Sequence, residues 1–320
     1  MGDSAIHAVA GSVGGCISMG LTYPLVNLST RAAVQSKQEE LSIAKAIKKT
    51  WKDEGLSGLY SGLSSSLLGI VVTNGVYYGF YEEARSVLLK RRAKTSTASP
   101  QALTTAEGII AGLIAGSITT LATNPIWTVQ TAQSTHAVVV PKTSGESDEA
   151  PNGEAKKIRL SAVDAASQIL KKDGVKGFWR GIGPALVLVI NPVIQYTTFE
   201  RLVGLLLSYR LSRGLTSTGK RPTGRSALSD WDLFILGAAS KLVATGITYP
   251  YIVVKSRLQA ATHKYKSSVA AVLHILKTEG VNGLYAGLLP KLIQSMLTAA
   301  FLFVAQRRIF EMVKLVRHSA

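Results

Sequence analysis

The chain has 320 residues, of which 47% are hydrophobic and only 17% charged, with a net charge of +17. Soluble domains average about 25% charged residues, and a large soluble helical protein needs a polar face on its surface helices, so the long charge-free runs described below argue against one. The single cysteine offers no disulfide framework, and the positive excess lies in loops with no aromatic-interleaved basic motif, so nucleic acid is not an expected partner.

Taken from the amino end, the first charge-free run is Ser4 to Thr30, which contains Tyr23-Pro24 and is followed by Arg31. A stretch of about 18 or more apolar residues is long enough to cross a membrane as a helix. An amphipathic, charge-rich segment follows at Ile43 to Lys52, and then the phrase Glu54-Gly-Leu-Ser-Gly-Leu-Tyr-Ser-Gly62. The second run, Ser61 to Tyr81, presents Thr73, Asn74, Tyr77 and Tyr78 at helical spacing and leads into Tyr81-Glu82-Glu-Ala-Arg85.

The same order then recurs. Gly108 to Thr135 is uncharged and contains Asn124-Pro125. Residues 136–157 form an insertion with the Pro, Ser, Gly and acid content of a disordered loop. Next come Asp173-Gly-Val-Lys-Gly-Phe-Trp-Arg-Gly181 and an uncharged run to Phe199, with Asn191 and Gln195 one helical turn apart and Glu200 at its end. The third pass has Leu233 to Val254, interrupted by Lys241 and carrying Tyr249-Pro250, then Lys255-Ser-Arg257-Leu-Gln259. It closes with Glu279-Gly-Val-Asn-Gly-Leu-Tyr-Ala-Gly287 and Leu284 to Gln306, interrupted by Lys291 with Gln294 and Ser295 on the same face. A phrase repeated at long period fixes the architecture before any local signal. The expectation is an all-α membrane protein with six transmembrane helices, built from three tandem two-helix repeats (1–100, 101–225 and 226–320) with pseudo-threefold symmetry.

The connections between units are basic and without acids: Lys90, Arg91, Arg92 and Lys94, then Arg210, Arg213, Lys220, Arg221 and Arg225. Positive charge marks the cytosolic side, so both termini and these loops are expected there. Met1-Gly-Asp-Ser-Ala-Ile6 has no basic n-region, so no secretory signal is expected. No P-loop, nucleophile elbow or metal-spaced His/Cys cluster occurs. Neither an enzyme nor a cofactor is expected.

An ionisable residue inside a span is costly and marks a functional site by default. Lys241 and Lys291 are therefore candidate substrate contacts, with snorkelling to an interface as the competing reading. Gln294, Asn191, Gln195 and Asn74 complete the candidate set, although polar side chains also serve as glue between membrane helices. The glycines of the phrase suit the turn into each even-numbered helix, and its acid is placed to meet a base at the end of the neighbouring odd-numbered helix.

Three units of proline-kinked helix, amphipathic segment, acid-Gly phrase and second helix resemble the mitochondrial carrier family. That resemblance implies a motif Pro-x-acid-x-x-base-x-base on odd helices, whose ion pairs close the inner side while Pro24, Pro125 and Pro250 kink the helices together. It assigns Arg31, Lys255, Arg257 and Gln259 to an inner gate, and Glu82, Arg85, Glu200 and Gln306 to an outer one. All three motif acids are absent: Val26, Trp127 and Ile252 occupy their places. An inner closure must then rest on other contacts.

Asn124-Pro-Ile-Trp127, Asn191-Pro-Val-Ile-Gln-Tyr196, the Ala239 to Pro250 stretch and the Pro290 to Ala300 stretch are similar to the peroxisomal adenine nucleotide and coenzyme carriers of that family. The resemblance implies a peroxisomal membrane transporter exchanging ATP for AMP by alternating access, as a monomer in membrane lipid. Alternatives are a peroxisomal carrier of CoA, FAD or NAD, a mitochondrial inner-membrane nucleotide or cofactor carrier, and a non-transporting scaffold of the same fold.

Overall fold

The computed structural model describes residues 3–34, 43–93, 103–135, 137–140, 156–212, 228–260, 265, 267–298 and 301, with side chains from Gly15 onward in the first helix. Unit one contains α1 (Asp3–Val34), α2 (Ile43–Leu59) and α3 (Leu63–Ala93). Unit two contains α4 (Thr105–Thr135), a two-stranded ribbon of β1 (Ala137–Val140) and β2 (Lys156–Arg159), α5 (Ala162–Asp173), α6 (Ile182–Val187) and α7 (Asn191–Ser212). Unit three contains α8 (Asp230–Gln259), α9 (Ser268–Leu284) and a last helix over 288–298, here α10.

Each odd helix (α1, α4 and α8) runs through its proline. A prolyl ring removes one amide and leaves the carbonyl four residues earlier without its bond. In unit two that carbonyl, Leu121 O, accepts the indole N–H of Trp179 at 2.9 Å. The even helix of unit two is broken between α6 and α7 by a 3-10 turn at Leu188–Ile190. Pro192 has no amide to give the Leu188 carbonyl, so the regular ladder is interrupted there.

The three passes through the acid-Gly phrase share one backbone solution. Gly55, Gly174 and Gly280 lie at φ 69°, 64° and 69° with ψ −163°, a region open only to glycine. The chain leaves one helix at the acid and turns at once into the next. A Cβ on the middle glycine, Gly58, Gly177 or Gly283, would stand 2.3, 2.9 or 2.5 Å from the acid's own Cβ. That is why the acid-Gly-x-x-Gly spacing recurs.

Among the described residues, the stretches long and apolar enough to span a membrane are Thr105–Thr135, Val175–Arg210 and Trp231–Gln259, of whose most apolar windows only 28, 22 and 28% is buried, with Ile43–Leu59 and Leu63–Arg92, bent by 49°, qualifying together as a further one. A soluble core would bury most of such windows; here Leu21, Leu68, Val71, Leu205, Ile235 and Ile247 face outward, as lipid solvation requires. Buried apolar clusters sit instead around the phrases. One joins Ala33, Tyr249, Val253, Val254, Ala271, Ile275 and Leu284; another joins Ala132, Leu160, Ala165 and Ile169.

One expectation needs correction at its edges. The segment 136–157, read as disordered from composition, begins and ends in an ordered antiparallel ribbon, with Ala137 opposite Arg159 and Val140 opposite Lys156. The three valines of Ala-Val-Val-Val favour a strand, and averaging them with the polar centre hid that preference; Lys-Lys-Ile-Arg offers only Ile158 and takes its strand from the pairing. Residues 141–155 lie outside the described residues.

Candidate substrate cavity and inner closure

The residue before each proline holds the last turn of its own unit's phrase. Tyr23 donates its hydroxyl to Ser61 O at 3.0 Å, Asn124 its amide to Arg180 O at 3.1 Å, and Tyr249 its hydroxyl to Ala286 O at 3.1 Å. The closing glycine of each phrase then seats against the odd helix of the next unit. A Cβ added at Gly62 would lie 3.2 Å from Gln130 O on α4, at Gly181 3.0 Å from Lys255 O on α8, and at Gly287 2.7 Å from Ser29 O on α1. Contacts running from unit one to two, two to three and three to one close a ring, which gives the pseudo-threefold end its shape.

Two of the phrase acids meet arginines of the odd helices. Arg31 binds Glu54 at 2.9 and 3.3 Å and donates its Nε to Ser134 O of α4 at 2.9 Å. Arg257, fully buried, forks Glu279 at 2.5 and 2.7 Å and donates its Nε to Ala33 O of α1 at 3.0 Å. Each arginine therefore ties its own unit together and clasps the next odd helix. In unit two the equivalent position is Ala132, and Asp173 pairs instead with Arg180 inside its own phrase. The α4–α8 seam is left to uncharged contacts: Gln259 donates to Asn124 Oδ1 at 3.3 Å and accepts from Thr131 at 3.1 Å. Elsewhere Gln130 donates to Tyr23 at 3.3 Å and Ser134 at 3.0 Å, while Ser29 donates to Gly287 O at 3.1 Å.

Above this closure lies a cavity of about 740 Å³, within the roughly 300–1,000 Å³ usual for small-molecule sites. Its walls are Thr73, Tyr77, Tyr81 and Arg85 of α3, the Gly108, Gly112 and Gly116 face of α4, and Val189, Val193 and Tyr196 around α7. Trp127 and Lys255 reach it near the closed end. Tyr77 and Tyr81 stack with ring centres 5.9 Å apart, and Trp127 donates its indole N–H to Thr73 at 3.2 Å. Among the described residues lining the cavity there is no carboxylate. At the far end, α3 is fastened to α4 by Arg92–Glu107 (3.3 Å) and α7 to α8 by Arg210–Asp232 (2.7 Å). Both acids also cap their helices through Thr104 and Ser229.

The candidate binding residues are distributed unevenly. Lys241 and Lys291 are half-buried, and neither is among the described residues that line the cavity. Gln294 is buried, donates to Thr298 at 2.8 Å and finds no partner for its Oε1 among the described residues; Thr298 in turn bonds Thr22 of α1 at 2.9 Å. Asn191 directs its amide to Thr248 Oγ1 (2.7 Å) and Ala244 O (3.2 Å), a tie to α8. Gln195 is half-buried; Asn74 is exposed, one step around α3 from the cavity-lining Thr73 and Tyr77. Of the gate candidates, Glu82 and Arg85 form an exposed pair within α3 at 3.1 Å. Glu200 is half-buried on α7, and Gln306 lies outside the described residues. Sequence reasoning missed the residue before each proline, although Tyr23, Asn124 and Tyr249 recur at one place. It also missed the Thr104-x-x-Glu107 and Ser229-x-x-Asp232 caps, which are legible as capping boxes.

A membrane bundle of three two-helix units, closed at one end by a ring of inter-unit contacts and hollow above it, defines a solute carrier. The model of the mitochondrial carrier protein family matches residues 3–92, 101–210 and 226–316, and the chain belongs to that family, with its six transmembrane helices. It is 32% identical to peroxisomal membrane protein PMP47B of Candida boidinii, over 94% of this chain and 84% of the relative. It is 31% identical to the peroxisomal nicotinamide adenine dinucleotide carrier of Arabidopsis thaliana, over 100% and 99%. It is 30% identical to peroxisomal membrane protein PMP34 of Mus musculus, over 96% and 92%. Among such relatives the chain stands as a multi-pass transporter of the peroxisomal membrane.

Proposed function

We propose that the chain carries an adenine nucleotide across the peroxisomal membrane, exchanging ATP for AMP by alternating access, as a monomer in lipid with both termini in the cytosol. The observation that carries this reading is the cavity: closed at the phrase end, lined by tyrosines and a smooth glycine face, and holding Lys255 without any carboxylate among its described lining. A nucleotide matches that division, with its planar base suited to the aromatic wall and its phosphates to the cations.

In this mechanism, substrate contacts offset the loss of the inner contacts as the odd helices part. A ligand moves such an equilibrium only by binding the two states differently. With no motif acids present, the inner closure is weaker than a full ion-pair network, so some net uniport accompanies exchange. Uptake that vanishes without internal counter-substrate would contradict this. Reconstitution into liposomes with labelled ATP, AMP, CoA, FAD and NAD tests the substrate directly. Uptake of ATP and AMP supports the adenine nucleotide reading, and inertness toward the whole panel rejects transport in favour of a scaffold. Lys241→Ala should reduce nucleotide uptake at least tenfold, the scale of one charge-assisted contact.

The second reading is a carrier of NAD, CoA or FAD. One relative's name supports it, since that protein is a nicotinamide adenine dinucleotide carrier. Preference within the same panel separates the two. A fluorescent fusion imaged against organelle markers separates both from a mitochondrial carrier.

A further inference from the structure

The aromatic residue of the acid-Gly phrase is put to a different use in unit two. In units one and three it is a tyrosine stacked on the tyrosine before the proline, Tyr60 on Tyr23 and Tyr285 on Tyr249, with ring centres 6.1 Å apart in both. Unit two has Asn124 before its proline and so offers no ring to stack on. Trp179 instead donates its indole N–H to Leu121 O at 2.9 Å, the carbonyl that Pro125 deprives of an amide. Leu121 is 46% exposed on the outward face of α4, where lipid tails offer a freed carbonyl no donor. The neighbours of Trp179 hold α4 nearer the inner end. Asn124 donates to Phe178 O at 2.8 Å and to Arg180 O at 3.1 Å, and Thr128 donates to Phe178 O at 2.9 Å. Phe178, Trp179 and Arg180 therefore grip α4 on both sides of Pro125 and bridge the kink. In unit one the bonds from Tyr23 and Asn27 to Gly58 O and Ser61 O begin only at the residue before the proline.

We propose that Trp179 is a positioning residue for transport: by bridging Pro125 it fixes the bend of α4, so that the cavity wall and the inner closure of unit two move as one body. The turns of α4 before the kink carry Gly112, Gly116 and Thr120 of the cavity wall, and the turns after it carry Thr131 of the α4–α8 seam. A rigid bend passes motion at one of these places to the other, whereas a loose one lets the seam part while the wall stays. The proposal holds for any substrate and does not rest on the nucleotide reading.

The test is a double-mutant cycle on the full chain in detergent, read by hydrogen exchange of the α4 amides flanking Pro125. Trp179→Phe keeps an aromatic ring and removes the donor. Pro125→Ala returns an amide that can bond Leu121 O from within the helix, and alanine is the best helix former. Expected in Trp179→Phe is exchange about two- to tenfold faster, the worth of one neutral hydrogen bond, with no such change when the same substitution is made in Pro125→Ala. Equal acceleration in both backgrounds overturns the proposal, because the ring would then act by packing alone, and so does no acceleration in either. If Trp179→Phe fails to fold, the double variant should fold, since its carbonyl has regained an amide. A double variant that fails where Pro125→Ala folds overturns the proposal as well.

A second measurement reads the link to transport. From liposomes loaded with labelled AMP, Trp179→Phe should raise efflux without counter-substrate severalfold relative to exchange, and the double variant should return to the ratio of Pro125→Ala. An unchanged ratio in Trp179→Phe, alongside faster hydrogen exchange, overturns the positioning role. If wild type moves no AMP, the nucleotide reading fails, while the hydrogen-exchange cycle still decides whether Trp179 holds the bend.

Discussion

Arg257 is fully buried and meets two separate parts of the chain, the Glu279 carboxylate of its own unit and the Ala33 carbonyl of α1. Removing one partner of a buried ion pair leaves the other charge desolvated and uncompensated, which costs about 3–5 kcal/mol. Arg257→Ala should therefore lower the Tm in detergent strongly. Arg257→Lys should recover only part of the loss, because a lysine cannot present the planar fork that spans both carboxylate oxygens while a third N–H reaches α1. Full recovery by lysine would show that charge alone matters here. The arginine itself was legible in the sequence as the second base of the motif, but its partner was not that motif's acid. The acid-Gly phrase, which recurs in every unit, supplies the carboxylate, and a place for it near the end of an odd helix could be anticipated from the repeat alone.

Among the elements, the phrase shows how two of its glycines answer different demands. Gly280 is needed for its backbone region, with open space around the missing side chain, whereas Gly287 combines positive φ with a contact in which a Cβ would meet Ser29 O at 2.7 Å. Holding a non-glycine residue in such a region costs about 1–3 kcal/mol. Gly280→Ala should pay that cost alone. Gly287→Ala should exceed it, because the obstruction is backbone of another unit and cannot swing aside; thermal unfolding of the two variants gives the comparison. Equal losses would mean that φ dominates and the inter-unit approach does not. The ribbon of β1 and β2 is the element that composition misjudged, since a loop's polar centre outweighed the valines of its first flank.

For the molecule as a whole, the inner ring is threefold in its turns and unequal in its clasps. Arg31 secures the α1–α4 seam and Arg257 the α8–α1 seam, but Ala132 leaves the α4–α8 seam to Gln259, Asn124 and Thr131. Neutral hydrogen bonds of this kind contribute about 0.5–1.5 kcal/mol each. Gln259→Ala should therefore loosen the closed state at that seam and raise efflux from loaded liposomes without counter-substrate severalfold, while leaving the Tm nearly unchanged. A large fall in Tm with no added leak would place Gln259 in folding and not in gating.

Charge segregation, three pairs of apolar runs (the third pair broken only by Lys241 and Lys291) and the repeated phrase together determined the six-helix, three-unit membrane architecture, because a lipid environment forces helices and a repeat forces symmetry. They also determined that no motif acid could close the inner side. What only the tertiary structure decided is where the remaining polar groups spend their hydrogen bonds. Asn191, equally readable as ligand or glue, is committed to α8, and Lys255, assigned to a gate by its motif, faces the cavity. Helical spacing states which residues share a face. Which neighbour that face meets depends on the kinks and on the ring closing unit three back onto unit one, and those contacts join residues more than two hundred positions apart in the chain.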